Sequence, residues 1–177
     1  MAPLWGERKE NFIDTVVIHY ISAIETAQKT PFDIHLILEI FYFYEVSTHY
    51  LIDREGSVYY LVPEEKKAWH CGGSKMPEPD KREGVNEFSI GIELIATHSS
   101  GFTEPQYGTL GNLCSDIEKR WPIKNYLGHQ DVAGHTAVAL GLRKDIKEDP
   151  GPLFNWELFY KMKGKKKSSG QNSGSPV

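Results

Sequence analysis

The run Thr15-Val16-Val17-Ile18-His19-Tyr20 opens with four β-branched residues and carries a single imidazole near its end. Such a run forms a short strand buried on both faces, the central position of a sheet covered by helices on each side. Outward from it, Ile34, Ile37, Leu38 and Phe41 recur at helical spacing after Pro31 and Asp33, which predicts a helix from about Phe32 to Tyr44. His49 to Asp53 and Val58 to Val62 read as strands joined by the polar turn Arg54-Glu55-Gly56-Ser57, a hairpin. Gly72 to Val85 has no apolar period and reads as a long surface loop. Ser89 to Ile95 is apolar but for Glu93 and reads as a strand. Thr103 with Gln106 gives a capping box ahead of a helix whose apolar face is Tyr107, Leu110, Leu113, Cys114, Ile117 and Trp121, ended by Pro122. A short strand near Tyr126 delivers Gly128-His129 to a loop reaching Asp149, and a last helix covers Phe154 to Tyr160. Strands interleaved with helices at this length define an α/β (α+β) domain with a mixed central sheet flanked by helices.

The 177 residues, 40% hydrophobic and 25% charged, suit one core. The expected organisation is a lead-in over residues 1–12, one domain over 13–160 and a disordered Lys/Ser/Gly-rich tail over 161–177. No stretch is apolar enough to insert in a membrane, and the first dozen residues carry charge where a signal core would lie, so a cytoplasmic location is expected, with a secreted or phage-released protein as the alternative. Two cysteines, Cys71 and Cys114, make neither a disulfide framework nor a zinc knuckle. The net charge of −4 hides an asymmetry: five of the 20 basic residues and none of the 24 acidic ones lie after position 160. The body is therefore strongly acidic and would repel nucleic acid, which is excluded as a partner.

Catalytic zinc takes three ligands from His, Asp, Glu or Cys and keeps a position open. His19 and His129 end predicted strands, and Asp149 sits in a Pro/Gly-fixed loop two residues after Lys147. Taken by type alone, a histidine at a strand end is more often a hydrogen-bonded structural residue than a ligand.

Six stretches in order are more specific: Val16-Val-Ile-His19-Tyr, Val46-Ser-Thr-His-Tyr-Leu-Ile-Asp-Arg-Glu-Gly56, Ala68-Trp-His-Cys-Gly72, Asn86-Glu-Phe-Ser-Ile-Gly-Ile-Glu93-Leu, Gly128-His-Gln-Asp-Val-Ala133 and Lys147-Glu-Asp-Pro-Gly-Pro152. From about Thr15 to Trp156 the chain resembles the family-2 N-acetylmuramoyl-L-alanine amidases, which include AmpD-type amidases, phage-lysozyme amidases and peptidoglycan recognition proteins; the AmpD type is nearest. The resemblance implies a peptidoglycan-recognition-protein-like amidase fold. It also implies a zinc cofactor on His19, His129 and Asp149, Glu93 as acid/base and Lys147 as oxyanion stabiliser. Tyr20, Trp69, His70 and Asn86 would bind substrate. Implied partners are muropeptides or the cell wall, met by a monomer. The alternative from another class is a recognition module that binds such fragments without cutting them.

Gly134 to Ile146 looks like an insertion relative to the familiar pattern. It brings His135, Asp145 and Glu148 near enough in sequence to rival Asp149, which alone keeps both the lysine before it and Pro150-Gly151-Pro152 after it. The insertion is either a loop or a lid over the groove. His49 reads as a structural strand residue, His35 as a helix residue, and His98 and His135 as exposed.

Overall fold

The computed structural model describes residues 4–164. Seven strands run β1 (Trp5–Glu7), β2 (Thr15–Ile21), β3 (Tyr50–Ile52), β4 (Val58–Tyr60), β5 (Lys66–Ala68), β6 (Ser89–Ile95) and β7 (Asn125–Gly128). The helices are α1 (Ile34–Phe43), α2 (Glu104–Ile117), α3 (His129–Ala133), α4 (His135–Ala139) and α5 (Trp156–Lys163). The main sheet has the order β4-β3-β6-β2-β7, with β2 at an interior position as its composition requires. Strands β3, β6, β2 and β7 are parallel, and β4 pairs antiparallel with β3 as the hairpin return. This is the mixed sheet expected, flanked by helices.

Alternation along the strands sorts residues to two faces. Val16, Ile18, Ile90, Ile92 and Leu94 join Leu110, Cys114, Ile117 and Phe159 in the larger core, under α2 and α5. Leu51 and Ile95 pack instead against Ile37 and Phe41 of α1 on the opposite face. His19 and Glu93 belong to this second face, where α1 and the long loops leave a groove open.

The capping box at α2 forms as expected, Thr103 Oγ1 accepting from Gln106 N and Gln106 Oε1 from Thr103 N, a motif that typically contributes about 1 kcal/mol. Three expectations need correction. Helix α2 ends at Ile117, so Trp121 is not on its face; the indole lies beyond a turn and donates through Nε1 to Glu64 Oε2 at 2.7 Å. The tail does not begin at Lys161, because α5 continues to Lys163, whose ammonium binds Glu118 Oε1 at 2.6 Å and whose carbonyl accepts from Ser115 Oγ. The disorder expected from residue 165 onward lies outside the described residues. The lead-in is not merely polar: β1 pairs with β5, and Arg8 just after it reaches into the fold. Arg8 donates to the carbonyls of Glu64, Asn86, Glu87 and Ser89, so this buried cation is held by backbone acceptors on three separate segments.

Candidate active site

The groove, about 970 Å³, lies over the C-terminal ends of β2, β6 and β7 and is lined by His19, Glu93, His129, Lys147 and Asp149, among others. That is where an open parallel sheet delivers functional side chains. Strand β2 carries His19 to the edge of the groove, and β7 ends at Gly128 so that His129 starts α3 directly. Gly128 is needed for a close approach: a Cβ there would lie 2.6 Å from the Pro150 ring. With that approach, Gln130 N donates to the Asp149 carbonyl at 3.0 Å and the third residue is brought against the first two.

Asp149 Oδ2 is 3.0 Å from His19 Nδ1, and His129 Nδ1 is 3.2 Å from Asp149 Oδ1. The three ligand-capable atoms all lie within 4.8 Å of one another. His129 Nε2 lies 3.1 Å from the Cys71 carbonyl, which can only accept. Nε2 therefore bears the proton in the neutral ring, and Nδ1 turns a bare lone pair toward the carboxylate. Two electron-rich groups so placed repel unless a cation lies between them, so this chain's donor set fits a bound cation. Burial, reinforced by neighbouring His129, lowers the His19 pKa to about 4, keeping that ring neutral as a ligand must be.

Glu93 stands beside this cluster. Its Oε2 is shut off from solvent and has no hydrogen-bond partner. Burial, with the charge of Asp149 adding to it and Lys147 opposing, raises its pKa well above that of an ordinary glutamate. The exposed rivals His135, Asp145 and Glu148 stay outside the three-residue cluster, which contains Asp149.

A family model described as N-acetylmuramoyl-L-alanine amidase matches residues 9–152, most of the chain. The chain belongs to the N-acetylmuramoyl-L-alanine amidase family. The 1,6-anhydro-N-acetylmuramyl-L-alanine amidase AmpD of Escherichia coli (strain K12) is 40% identical over 116 residues, covering 64% of this chain and 56% of that protein. The match thus spans little more than half of that relative. A crystal structure of a selenomethionine AmpD derivative superposes with a TM-score of 0.70 at 31% identity, covering 91% of this chain and 90% of the other. The amidase AmiD from E. coli, in complex with the substrate anhydro-N-acetylmuramic acid-L-Ala-D-gamma-Glu-L-Lys, gives a TM-score of 0.65 at 29% identity over 88% of this chain and 60% of the other.

In this amidase-family chain the remaining expected residues divide. Trp69, 38% exposed, and half-buried Tyr20 line the groove. Lys147 lines it too, with no hydrogen bond or ion pair to its ammonium among the described residues. Asn86 borders the groove but is 7% exposed, and its Oδ1 accepts from Cys71 N at 2.9 Å, so it braces the loop behind the ligands. His70 is 8% exposed and stands behind His19, its Nδ1 3.0 Å from His19 Nε2. It also lines the groove.

The segment from Gly134 to Ile146 contains α4 and supplies Arg143, which reasoning from sequence missed. Its Nη1 donates to the Cys71 carbonyl at 3.1 Å, the acceptor that also holds His129. The segment therefore makes one wall of the groove and braces a ligand. No sequence signal marked Arg143, since its significance depends on which loop it touches.

Among the described residues, no helix is long and apolar enough to cross a membrane.

Proposed function

We propose that this protein is a zinc-dependent N-acetylmuramoyl-L-alanine amidase that hydrolyses the amide between the lactyl group of N-acetylmuramic acid and L-alanine in muropeptides, anhydromuramoyl peptides among them. The observation that carries this reading is the convergence of His19 Nδ1, His129 Nδ1 and the Asp149 carboxylate beside Glu93, whose Oε2 is buried and unpaired. His19, His129 and Asp149 would hold the zinc, which would supply Lewis acidity to make water nucleophilic at neutral pH.

Glu93 takes the attacking water's proton and delivers one to the departing alanine nitrogen. Its raised pKa suits both halves of that transfer, because such a group holds a proton more readily than an ordinary glutamate and can pass it on. Lys147 brings a cation to the developing oxyanion. Trp69 and Tyr20 flank the chemistry and orient the sugar and peptide on either side of the scissile bond. The substrate bound to the E. coli AmiD relative supports this substrate class.

The test is to incubate purified protein with an anhydromuramoyl tripeptide and with intact sacculi, with and without a chelator, and to identify products by mass. Free peptide released only without chelator, and restored by zinc, is the expected result. Binding of both substrates without cleavage in excess zinc would overturn the amidase reading in favour of a recognition module.

A further inference from the structure

The hydrogen-bond directions behind His19 are fixed by a backbone atom. The Val85 carbonyl accepts only, so its 2.7 Å contact with Ser89 Oγ uses the one hydroxyl proton of Ser89. Ser89 Oγ then accepts from His70 Nε2, 3.2 Å away. A neutral imidazole protonated at Nε2 has a lone pair at Nδ1, and His70 Nδ1 lies 3.0 Å from His19 Nε2. His19 therefore donates from Nε2, and its Nδ1 faces Asp149 as a bare lone pair at 3.0 Å. Cys71 Sγ, 3.2 Å from the same His70 Nδ1, is the weaker of its two donors.

The fold builds this row deliberately. Ser89, Gly91 and Glu93 alternate onto one face of β6, and the His70 ring lies flat over Gly91, where a Cβ would come within 2.5 Å of His70 Cγ. Any larger residue at 91 would push His70 off the line between Ser89 and His19. The row is closed to solvent, with Ser89 fully buried and His70 and His19 nearly so. Bulk water therefore does not compete for these protons.

We propose that His70 and Ser89 are positioning residues that set the tautomer of His19, so that its Nδ1 is presented to the metal. The proposal rests on reading the Asp149 cluster as a metal site. Outer partners of this kind typically change metal affinity by about 10–100-fold when removed. His70→Leu keeps the bulk but removes the acceptor, and zinc affinity measured by competition with a chelator falls by roughly that factor. His70→Asn places an amide oxygen near the position of Nδ1 and recovers most of what the leucine loses. Ser89→Ala leaves His70 free to take either tautomer and weakens zinc by a smaller factor.

The deciding measurement is long-range nitrogen–proton NMR of the metal-free, histidine-labelled protein, which reads the tautomer with no dependence on zinc or turnover. His19 protonated at Nε2 in the wild type and mixed in Ser89→Ala is the expected result. His19 protonated at Nδ1 in the wild type, or a Ser89→Ala variant with unchanged tautomer and zinc affinity, would overturn the proposal. Should His70→Leu not fold, the wild-type spectrum and Ser89→Ala still decide it. A protein that shows the expected tautomers and zinc affinities yet cuts no muramoyl peptide would uphold the positioning role and sink only the amidase reading.

Discussion

His19 on β2 and Glu93 on β6 are direct partners across a parallel strand pair. This register places a metal-ligand candidate and an acid/base candidate on one sheet face, with the spacing between them set by the sheet and not by a loop. The two side chains therefore act as one rigid unit, and their roles separate by substitution.

Replacing Glu93 with Gln removes the proton carrier but keeps the shape. Turnover is expected to fall by about 10²–10⁴-fold, with zinc bound as before. Because one oxygen of the wild-type carboxylate, Oε2, is buried without a partner, the variant is also expected to be more stable, by about 1 kcal/mol, at neutral pH. Paired kinetics, metal analysis and urea melts check this; a variant with undiminished turnover would remove Glu93 from the mechanism.

Gly128→Ala tests how Asp149 is seated. The new methyl meets the Pro150 ring, which cannot swing aside like a flexible chain end. The Asp149 loop must retreat from His129, and zinc affinity is expected to drop by at least about tenfold, on the scale of losing a ligand's support. Isothermal titration with zinc reads this directly, and wild-type affinity would show that the loop absorbs the methyl.

Acid is expected to destabilise the metal-free fold through its buried histidines. Burial, with Arg8 adding to it, lowers the His49 pKa to about 3, so the unfolded chain takes up a proton near pH 6.5 that the folded chain refuses. Stability is thus complete above about pH 6.5 and drains away as pH falls toward the folded value, by about 2 kcal/mol at pH 5 from His49 alone. Buried His19 acts in the same direction. Urea midpoints at several pH values give the slope, and His49→Asn is expected to flatten it. An equally steep slope in that variant would place the acid sensitivity elsewhere.

Away from the groove, Glu64 holds a polar knot under β3 and β4. It accepts from Tyr50 Oη, from Arg120 at 2.9 and 2.7 Å and from Trp121 Nε1 at 2.7 Å. Burial opposes the charge, but the bonds from Arg120, Tyr50 and Trp121 outweigh it and keep the carboxyl below its ordinary pKa. Glu64→Ala strands three donors and is expected to cost about 2–3 kcal/mol, discounted for the partly exposed Arg120. Thermal unfolding checks the size, while turnover of the folded fraction should be unchanged because the knot touches no groove residue.

The sequence by itself determined the elements and the residue types of the site. The β-branched run at Thr15 to Ile18, the Thr103/Gln106 cap and the helical spacing of α1 are local patterns, set by backbone geometry within a few residues of each position. Family motifs supplied His19, Glu93, His129, Lys147 and Asp149, and the fold brings these to one groove. Only the tertiary structure decided what stands behind them. His70 lines the groove, and the bare backbone at Gly91 also seats its ring against His19, a contact no linear motif encodes. Arg8 and Lys163, assigned by composition to a lead-in and a tail, are bonded into the body of the fold. Arg143 matters only because its loop meets the Cys71 carbonyl. Such roles depend on hydrogen bonds between segments far apart in the chain, whose distances are fixed by strand order and close packing, and no short-range pattern encodes them.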